Sequence, residues 1–205
     1  MILEACVENY SEARKAETAG ANRIELCENL AVGGTTPSYG TIKMCLANLN
    51  IPIAAMIRPR GGDFVYSDQE FEIMKTDIEI CKRLGAQGVV FGLLTKEKKI
   101  DIEKTRELVI LAQPMQTVFH KAFDELADPL KGLEQLIELG ITRILTSGTK
   151  DTALEGQDIL KELINRSSGR ISILVAGKVT YENISALPTV IPAHEFHGRR
   201  IVKIY

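Results

Sequence analysis

Eight short runs rich in β-branched and other apolar residues recur along this chain, and helical patterns separate them. This alternation predicts a parallel sheet, because two neighbouring parallel strands need a helical crossover between them. Eight such units favour closure into a barrel over an open sheet. The predicted strands are Ile2–Val7, Arg23–Cys27, Pro52–Ile57, Gly88–Leu93, Thr117–His120, Arg143–Thr146, Ile171–Ala176 and, with the weakest pattern, Glu195–His197.

Helix boundaries in the sequence agree with this pattern. Three helices begin at recognisable caps, and several helices end at a glycine that leads directly into the next strand. We therefore predict an α/β protein with one domain over residues 1–205, a single parallel (β/α)8 barrel of the TIM type. The caps are Thr36-Pro37 before Ser38–Asn48, Ser67 with Glu70 as a capping box, and Asp128-Pro129 before a helix to Leu139.

The last two units of the predicted barrel are short. The helix candidate Thr180–Leu187 is brief, and Gly198–Tyr205 is too short to supply a full outer helix after the eighth strand. Either a subunit interface covers this part of the barrel, or the barrel has a shortened terminus.

Composition limits the classes of partner. Lysine plus arginine (25) nearly balance aspartate plus glutamate (27), so the net charge of −2 predicts no binding to nucleic acid. No apolar run approaches the length of a membrane helix, and we expect no membrane role. The first residues lack a basic segment ahead of an apolar one, which predicts a cytosolic protein without a secretory signal. A small molecule, an ion or another subunit remains as the partner.

Two of the four cysteines occupy matching positions. Glu4 and Cys6 alternate along the first strand, as Glu25 and Cys27 do along the second, so each pair shares one face. Neighbouring strands in register would bring the two thiols together near the rim. No Cys-x-x-Cys pattern is present, which argues against structural zinc. Two thiols without histidine suit Cu(I), although free cysteine is among the most buried residue types and the spacing alone favours two small buried apolar side chains.

The loop after the third strand is rich in charged residues and glycine. Arg58 continues the strand face of Met56, so its guanidinium is placed to hold a carboxylate or phosphate group. Arg60 and Asp63 lie in the same loop and are further candidates for substrate binding. The alternative is an arginine–Asp63 ion pair that only holds the loop together.

The fifth and sixth strands end in further polar residues. His120 is a candidate general acid or base, with Asp124 or Glu25 as its carboxylate partner, although a single strand histidine is often only a core residue. Ser147, within Thr146-Ser147-Gly148, is placed to offer its backbone N–H to an anion, as tight turns after strands often do.

Together these stretches resemble the CutC family of copper homeostasis proteins over about residues 2–176. The resemblance implies a cytosolic β/α barrel that is a homo-oligomer, binds Cu(I) and takes part in copper tolerance. It also implies that Cys6 and Cys27 are the copper thiols. The matching stretches are Arg23–Cys27, Gly33–Ser38, Met56–Ser67, Phe119-His120, Ala122–Asp124 and Leu145–Gly148.

The chain departs from the family pattern at three places. Lys121 replaces the usual arginine, the glycine-rich turn after the seventh strand is reduced to Gly177-Lys178, and the tail beyond Glu195–His197 is brief. These changes count against an anion site built from the last two loops.

Two functional hypotheses follow. The first is a copper-handling protein in which Cys6 and Cys27 bind Cu(I) without turnover. The second is a barrel enzyme for a small anionic metabolite, with Arg58 and Arg60 binding the anion and His120 as acid or base. The second hypothesis accounts for more of the polar residues, because a soft cation needs no arginines.

Overall fold

The computed structural model describes residues 1–204 and forms a closed barrel of eight parallel strands in sequence order. The first strand pairs with the second and also with the eighth, which closes the sheet. The predicted barrel fold is confirmed. The strands are β1 (Ile2–Val7), β2 (Arg23–Leu26), β3 (Ile53–Met56), β4 (Gly88–Phe91), β5 (Gln116–Phe119), β6 (Arg143–Thr146), β7 (Ser172–Val175) and β8 (Glu195–Gly198).

Helices follow the strands on the outside of the barrel, and two short 3-10 turns lie at Leu30–Val32 and Lys121–Glu125. Along residues 1–204, no helix combines the length and the apolar character that crossing a bilayer requires. The helices are α1 (Tyr10–Thr18), α2 (Tyr39–Asn48), α3 (Asp68–Leu84), α4 (Ile102–Ala112), α5 (Pro129–Glu138), α6 (Gln157–Ser167) and α7 (Leu187–Val190).

Two of the three predicted helix starts have the chemistry that the sequence indicates, whereas Ser38 and not Thr36 caps α2. Ser67 and Glu70 form a reciprocal capping box at the start of α3, and the side chain of Asp128 accepts a hydrogen bond from the backbone of Lys131 at the start of α5. Gly85 ends α3 with φ of 83°, a left-handed conformation that a side chain would strain. These local signals place the turns that lead back into the strands.

Alternation along each strand separates two apolar cores. One set of side chains packs between the strands and the helices, and the other lies inside the barrel. The inner set takes one or two residues from each of β1 to β7 or the positions just after them. Its members are Cys6, Cys27, Ala54, Met56, Val90, Val118, Leu145, Leu174 and Ala176.

The end of the chain differs from the expected helix over Thr180–Leu187. Residues 181–186 form successive turns, and the helix begins only at Leu187, so that prediction is wrong in position. After β8 the chain continues without a helix, and Ile201, Val202 and Ile204 are buried. This irregular segment takes the place of an eighth outer helix.

Glycines allow the loop after β6 to pack against the start of α6. A Cβ atom at Gly156 would overlap the carbonyl oxygen of Ser147, whereas one at Gly40 in α2 would meet nothing closer than 3.9 Å. The structure therefore has no room for a side chain at Gly156, whereas it has room for one at Gly40.

We predict that Gly156→Ala destabilises the protein by about 1–3 kcal/mol because backbone must shift. Gly40→Ala is the matched control, and it should stabilise the protein by about 0.5–1 kcal/mol through lower backbone entropy in the unfolded chain. Urea unfolding measures both changes. Equal effects of the two substitutions would contradict the packing described for Gly156.

Candidate functional site

The thiols of Cys6 and Cys27 meet inside the barrel near its carboxyl end. Cys6 lies in β1, Cys27 directly follows β2, and their Sγ atoms are 4.0 Å apart. The exposed fractions are 6% for Cys6 and 0% for Cys27. The other two cysteines, Cys45 in α2 and Cys81 in α3, are buried in the outer core. Only the first pair therefore forms a cluster of sulfur ligands in residues 1–204.

A carboxylate and an imidazole adjoin the thiols. The Cys27 thiol donates to Oε2 of Glu25 at 3.5 Å, and the same oxygen lies 3.7 Å from Nε2 of His197. On its other side, the His197 Nδ1–H donates to Oε1 of Glu4 at 2.8 Å. Glu4, Glu25, Cys27 and His197 all point into the barrel. They come from the neighbouring strands β1, β2 and β8, on which alternate residues face inward.

Buried ion pairs extend this cluster toward the amino-terminal end of the barrel. Arg23 in β2 donates through Nε to Glu4, and through Nη2 to Oε2 of Glu195 at 2.5 Å. Arg143 in β6 donates to the same Glu195 oxygen at 2.9 Å. The cluster and the ion pairs form one buried polar chain that runs through the barrel.

Burial and neighbouring charges shift the pKa values of this chain in a consistent way. A hydrogen bond with Cys27 lowers the pKa of Cys6 to about 5, although burial opposes this shift. The same hydrogen bond and burial raise the pKa of Cys27 well above its ordinary value. Burial also raises the pKa of Glu25. Burial lowers the pKa of His197, but the neighbouring acidic groups Glu25, Cys6 and Glu4 outweigh it and raise that pKa.

Opposite charges stand beside one another along this chain. Three of its groups carry negative charge and three carry positive charge near neutral pH, and the raised pKa of Cys27 keeps that thiol protonated. Paired charges are tolerated in a buried site. The negative groups are Cys6, Glu4 and Glu195, and the positive groups are His197, Arg23 and Arg143.

The arrangement offers ligand atoms to one metal ion. Ligand atoms of Cys6, Glu25 and Cys27 all lie within 4.8 Å of one another, and so do those of Glu4, Glu25 and His197. Two sulfur atoms at the centre make the first group soft, which favours a thiophilic ion. The carboxylate of Glu4 orients the His197 ring, and carboxylates commonly orient metal-bound imidazoles in the same way.

Arg58 holds two loops together at the barrel mouth. It is 4% exposed, and its Nη1 donates to the carbonyl oxygens of Val32 and Gly34, both at 2.9 Å. Its Nη2 donates to the carbonyl of Gly62 at 2.7 Å. The guanidinium therefore joins the loop after β2 to the loop after β3, and only Nε remains without a partner within residues 1–204.

Arg60 lies on the outside of the same loop. It forms ion pairs with Asp63 at 3.0 Å and with Glu70 at 2.5 Å, and it donates to backbone carbonyls including that of Val65. Asp63 is thus an ion-pair partner of Arg60, as one of the two alternatives from the sequence expects. Binding of a substrate by Arg60 and Asp63 stays a prediction.

His120 is buried at the end of β5, and no hydrogen bond joins it to Asp124 or Glu25 in the described part of the chain. Its Nδ1 accepts a hydrogen bond from the backbone N–H of Ala122 at 3.1 Å. Burial and the charge of Arg58 lower its pKa to about 3. The ring fills space left by Gly92, where a Cβ would lie 2.5 Å from it. An acid or base role for His120 stays a prediction.

Asp124 lies in the 3-10 turn after β5, and its carboxylate reaches the loop after β6. Its carboxylate accepts hydrogen bonds from the backbone N–H groups of Ser147 and Thr149, from the hydroxyls of Thr146 and Ser147, and from Lys121. These backbone N–H groups are the ones that the sequence offers to an anion. A protein carboxylate therefore uses the anion-binding capacity of this loop.

Sequence reasoning did not assign five members of the buried polar chain to the site. The pattern Glu195-Phe196-His197 has the same polar alternation as Glu4-Ala5-Cys6, and that likeness is the signal that could have identified the acidic residues and the histidine. The five residues are Glu4, Arg23, Arg143, Glu195 and His197.

The chain is similar to known proteins along nearly its whole length. The model of the CutC family matches residues 1–202. The copper homeostasis protein cutC homolog of Mus musculus is 46% identical over 196 residues, covering 96% of this chain and 72% of the mouse protein. A CutC family protein of Pasteurella multocida is 46% identical over 187 residues, covering 91% of this chain and 77% of its own.

A solved structure agrees with these matches. The crystal structure of CutC from Streptococcus agalactiae superimposes with a TM-score of 0.94 at 41% identity, and the alignment covers 98% of this chain and all of that one.

The lowered pKa of Glu4 predicts that the fold loses stability in acid. Burial raises its pKa, but the hydrogen bond from His197 and the charge of Arg23 lower it overall, from 4.5 to about 2. The stabilisation is complete above pH 4.5 and is lost as the pH falls toward 2, because the unfolded chain takes up the proton first. It amounts to about 3 kcal/mol.

We expect Glu4→Gln to flatten the pH dependence of the free energy of unfolding between about pH 5 and about pH 2. The exposed Glu138 of α5 provides the control, and Glu138→Gln should leave that dependence unchanged. Urea titrations at several pH values measure both. An identical slope for wild type and Glu4→Gln would refute the assignment.

Proposed function

The chain belongs to the CutC family, and from that premise we propose that it serves copper homeostasis by binding one Cu(I) between Cys6 and Cys27. The observation that supports this proposal most directly is the 4.0 Å separation of the two Sγ atoms. A metal–thiolate bond of about 2.3 Å, the length found for zinc, lets two sulfurs at that separation share one ion.

The chemistry of the ligands favours Cu(I) over harder ions. Thiolates are soft donors and select Cu(I), whereas zinc completes four ligands and calcium or magnesium needs oxygen. Cys6 already has thiolate character because its pKa is lowered to about 5. Cys27 releases its proton when an ion binds, as metal ligation generally requires.

The apolar side chains around the thiols suit a site that retains Cu(I). Met56, Val90 and Leu174 belong to the same inner core as Cys6 and Cys27, and this core excludes water from the thiols. The backbone of Gly34 covers Cys27 on the mouth side, since a Cβ there would lie 3.3 Å from its Sγ.

The buried carboxylate and imidazole form the outer part of the proposed site. Glu25 lies beside Cys27, and His197 lies beside Glu25 with its orientation set by Glu4. Their role in this proposal is to balance the charge of the thiols and to orient them within a dry site.

The location and assembly state belong to the same proposal. A cytosolic protein keeps these thiols reduced and available to the ion. We also expect a homo-oligomer, because Ile73 on α3 and Ile110 on α4 expose 49% and 62% of their surface on neighbouring helices. Light scattering at micromolar concentration measures the mass, and a monomer would contradict this part of the proposal.

Substitution of the two thiols should abolish tight copper binding. Changes in outer-shell partners alone cost about 10–100-fold in metal affinity, so Cys6→Ala/Cys27→Ala should weaken Cu(I) binding by more than about a hundredfold. Anaerobic competition with a chromogenic Cu(I) chelator gives the affinities.

The other two cysteines provide a matched control. Cys45→Ala/Cys81→Ala removes the same number of thiols from the outer core, where burial raises their pKa values to about 11 and about 12. This variant should bind Cu(I) like the wild type. Equal affinity of wild type and Cys6→Ala/Cys27→Ala would eliminate the thiol pair as the copper site.

A further inference from the structure

Arg58 is a buried cation that forms no ion pair with any carboxylate in residues 1–204. Its exposed fraction is 4%, and its three described hydrogen bonds go to carbonyl oxygens, which carry no full negative charge. Its Nε–H has no partner. An uncompensated buried charge is costly, so this guanidinium favours an anion beside it.

His120 offers a second unpartnered donor close to Arg58. Because Nδ1 accepts the Ala122 N–H, the neutral ring carries its proton on Nε2. Nε2 is buried and, in the part of the chain that the structure describes, has no hydrogen-bond partner. The two side chains lie near each other, because both adjoin the ring of Phe64.

Tyr66 supplies a third free polar atom in the same region. Its side chain is 7% exposed, and among residues 1–204 its hydroxyl finds no partner. Burial raises the pKa of Tyr66, while the charge of nearby Arg58 opposes that rise. The Tyr66 ring is also held in place by Arg60, whose Cζ lies 5.2 Å from the ring centroid.

Phe64 lies between an open pocket and the side chains of Arg58 and His120. Its ring centroid lies 5.0 Å from Cζ of Arg58 and 4.8 Å from the ring centroid of His120. Phe64 also lines a pocket of about 420 Å³ beside Leu94, Thr95 and Lys96. The pocket therefore adjoins the same ring that lies against Arg58 and His120.

We propose that Arg58, His120 and Tyr66 form a binding site for the oxyanion group of a small carboxylate or phosphate, which is reached from this pocket past Phe64. The site is distinct from the thiol pair and needs no copper. Nε–H of Arg58, Nε2–H of His120 and the Tyr66 hydroxyl are all donors, and an oxyanion has acceptors for all three.

A buried water would be the simplest competitor for these donors. Water can accept from two of them, but it leaves the charge of Arg58 without compensation. A metal cation is excluded by the same charge and by the protonated Nε2. An oxyanion satisfies the hydrogen bonds and the charge together.

The test uses the full-length apo protein with sodium acetate and sodium phosphate as probes, and sodium chloride at equal ionic strength as the reference. Calorimetry measures the affinity of each anion. Imidazole ¹⁵N spectra locate the binding, because the chain has only three histidines and exposed His194 serves as an internal control.

Tyr66→Phe is the decisive variant, since it removes a hydroxyl that has no partner among residues 1–204 and so should not impair folding. Loss of one hydrogen bond to an anion should raise Kd by at least about tenfold. Tyr39→Phe, at a 55% exposed tyrosine, should leave Kd unchanged.

Saturable binding of either anion, with a shifted His120 resonance and weaker binding by Tyr66→Phe, would support the site and identify the oxyanion. Failure of both anions to bind, equal Kd values for wild type and Tyr66→Phe, or a shift confined to His194 would overturn it. The result is independent of copper, because the Cys6→Ala/Cys27→Ala variant should bind the anion like the wild type.

Discussion

Arg23 joins the strands at which the barrel closes, and the thiol site depends on it. From β2 it donates to Glu4 on β1 and to Glu195 on β8, and so compensates two carboxylates that burial would otherwise penalise. Glu4 then orients His197, which stands against Glu25 beside the thiols. Breaking one member of such a chain leaves a buried charge and typically costs about 3–5 kcal/mol. The geometry of the thiol pair is thus maintained from the opposite end of the barrel.

The barrel interior is divided into a polar side and an apolar side. Charged residues project inward mainly from β1, β2 and β8, whereas β3 to β5 and β7 contribute aliphatic side chains at the same depth. Arg58 and His120 stand above this apolar side, at the mouth. The turn at Gly33-Gly34 adjoins both regions, since added Cβ atoms would lie 3.1 Å from Nη1 of Arg58 and 3.3 Å from Sγ of Cys27. Copper and an anion would therefore occupy separate places that share one turn of backbone.

Much of the fold could be predicted from local patterns, but the partners of the polar residues could not. Alternation identified all eight strands, and the matching Glu-x-Cys pairs indicated which thiols meet. The sequence also placed Asp124 near His120, yet its carboxylate binds the N–H groups of Ser147 and Thr149. Those N–H groups would otherwise be buried without partners, which is a stronger demand than orienting a histidine. The helix expected over Thr180–Leu187 begins only at Leu187, and the backbone of Thr180 and Tyr181 instead pairs with Arg200 of the terminal segment.

The sequence by itself determined which side chains face the inside of the barrel, because a period of two in each strand is a local property. It also determined the helix starts, since capping is a contact among residues three or four positions apart. Only the tertiary structure decided which inward-facing groups touch. Closure brings Glu4 against His197, 193 positions away, and this pairing depends on how the eighth strand meets the first. Hydrogen-bond partners are chosen in space by competition among all nearby buried groups, and a linear sequence does not show which groups will be nearby.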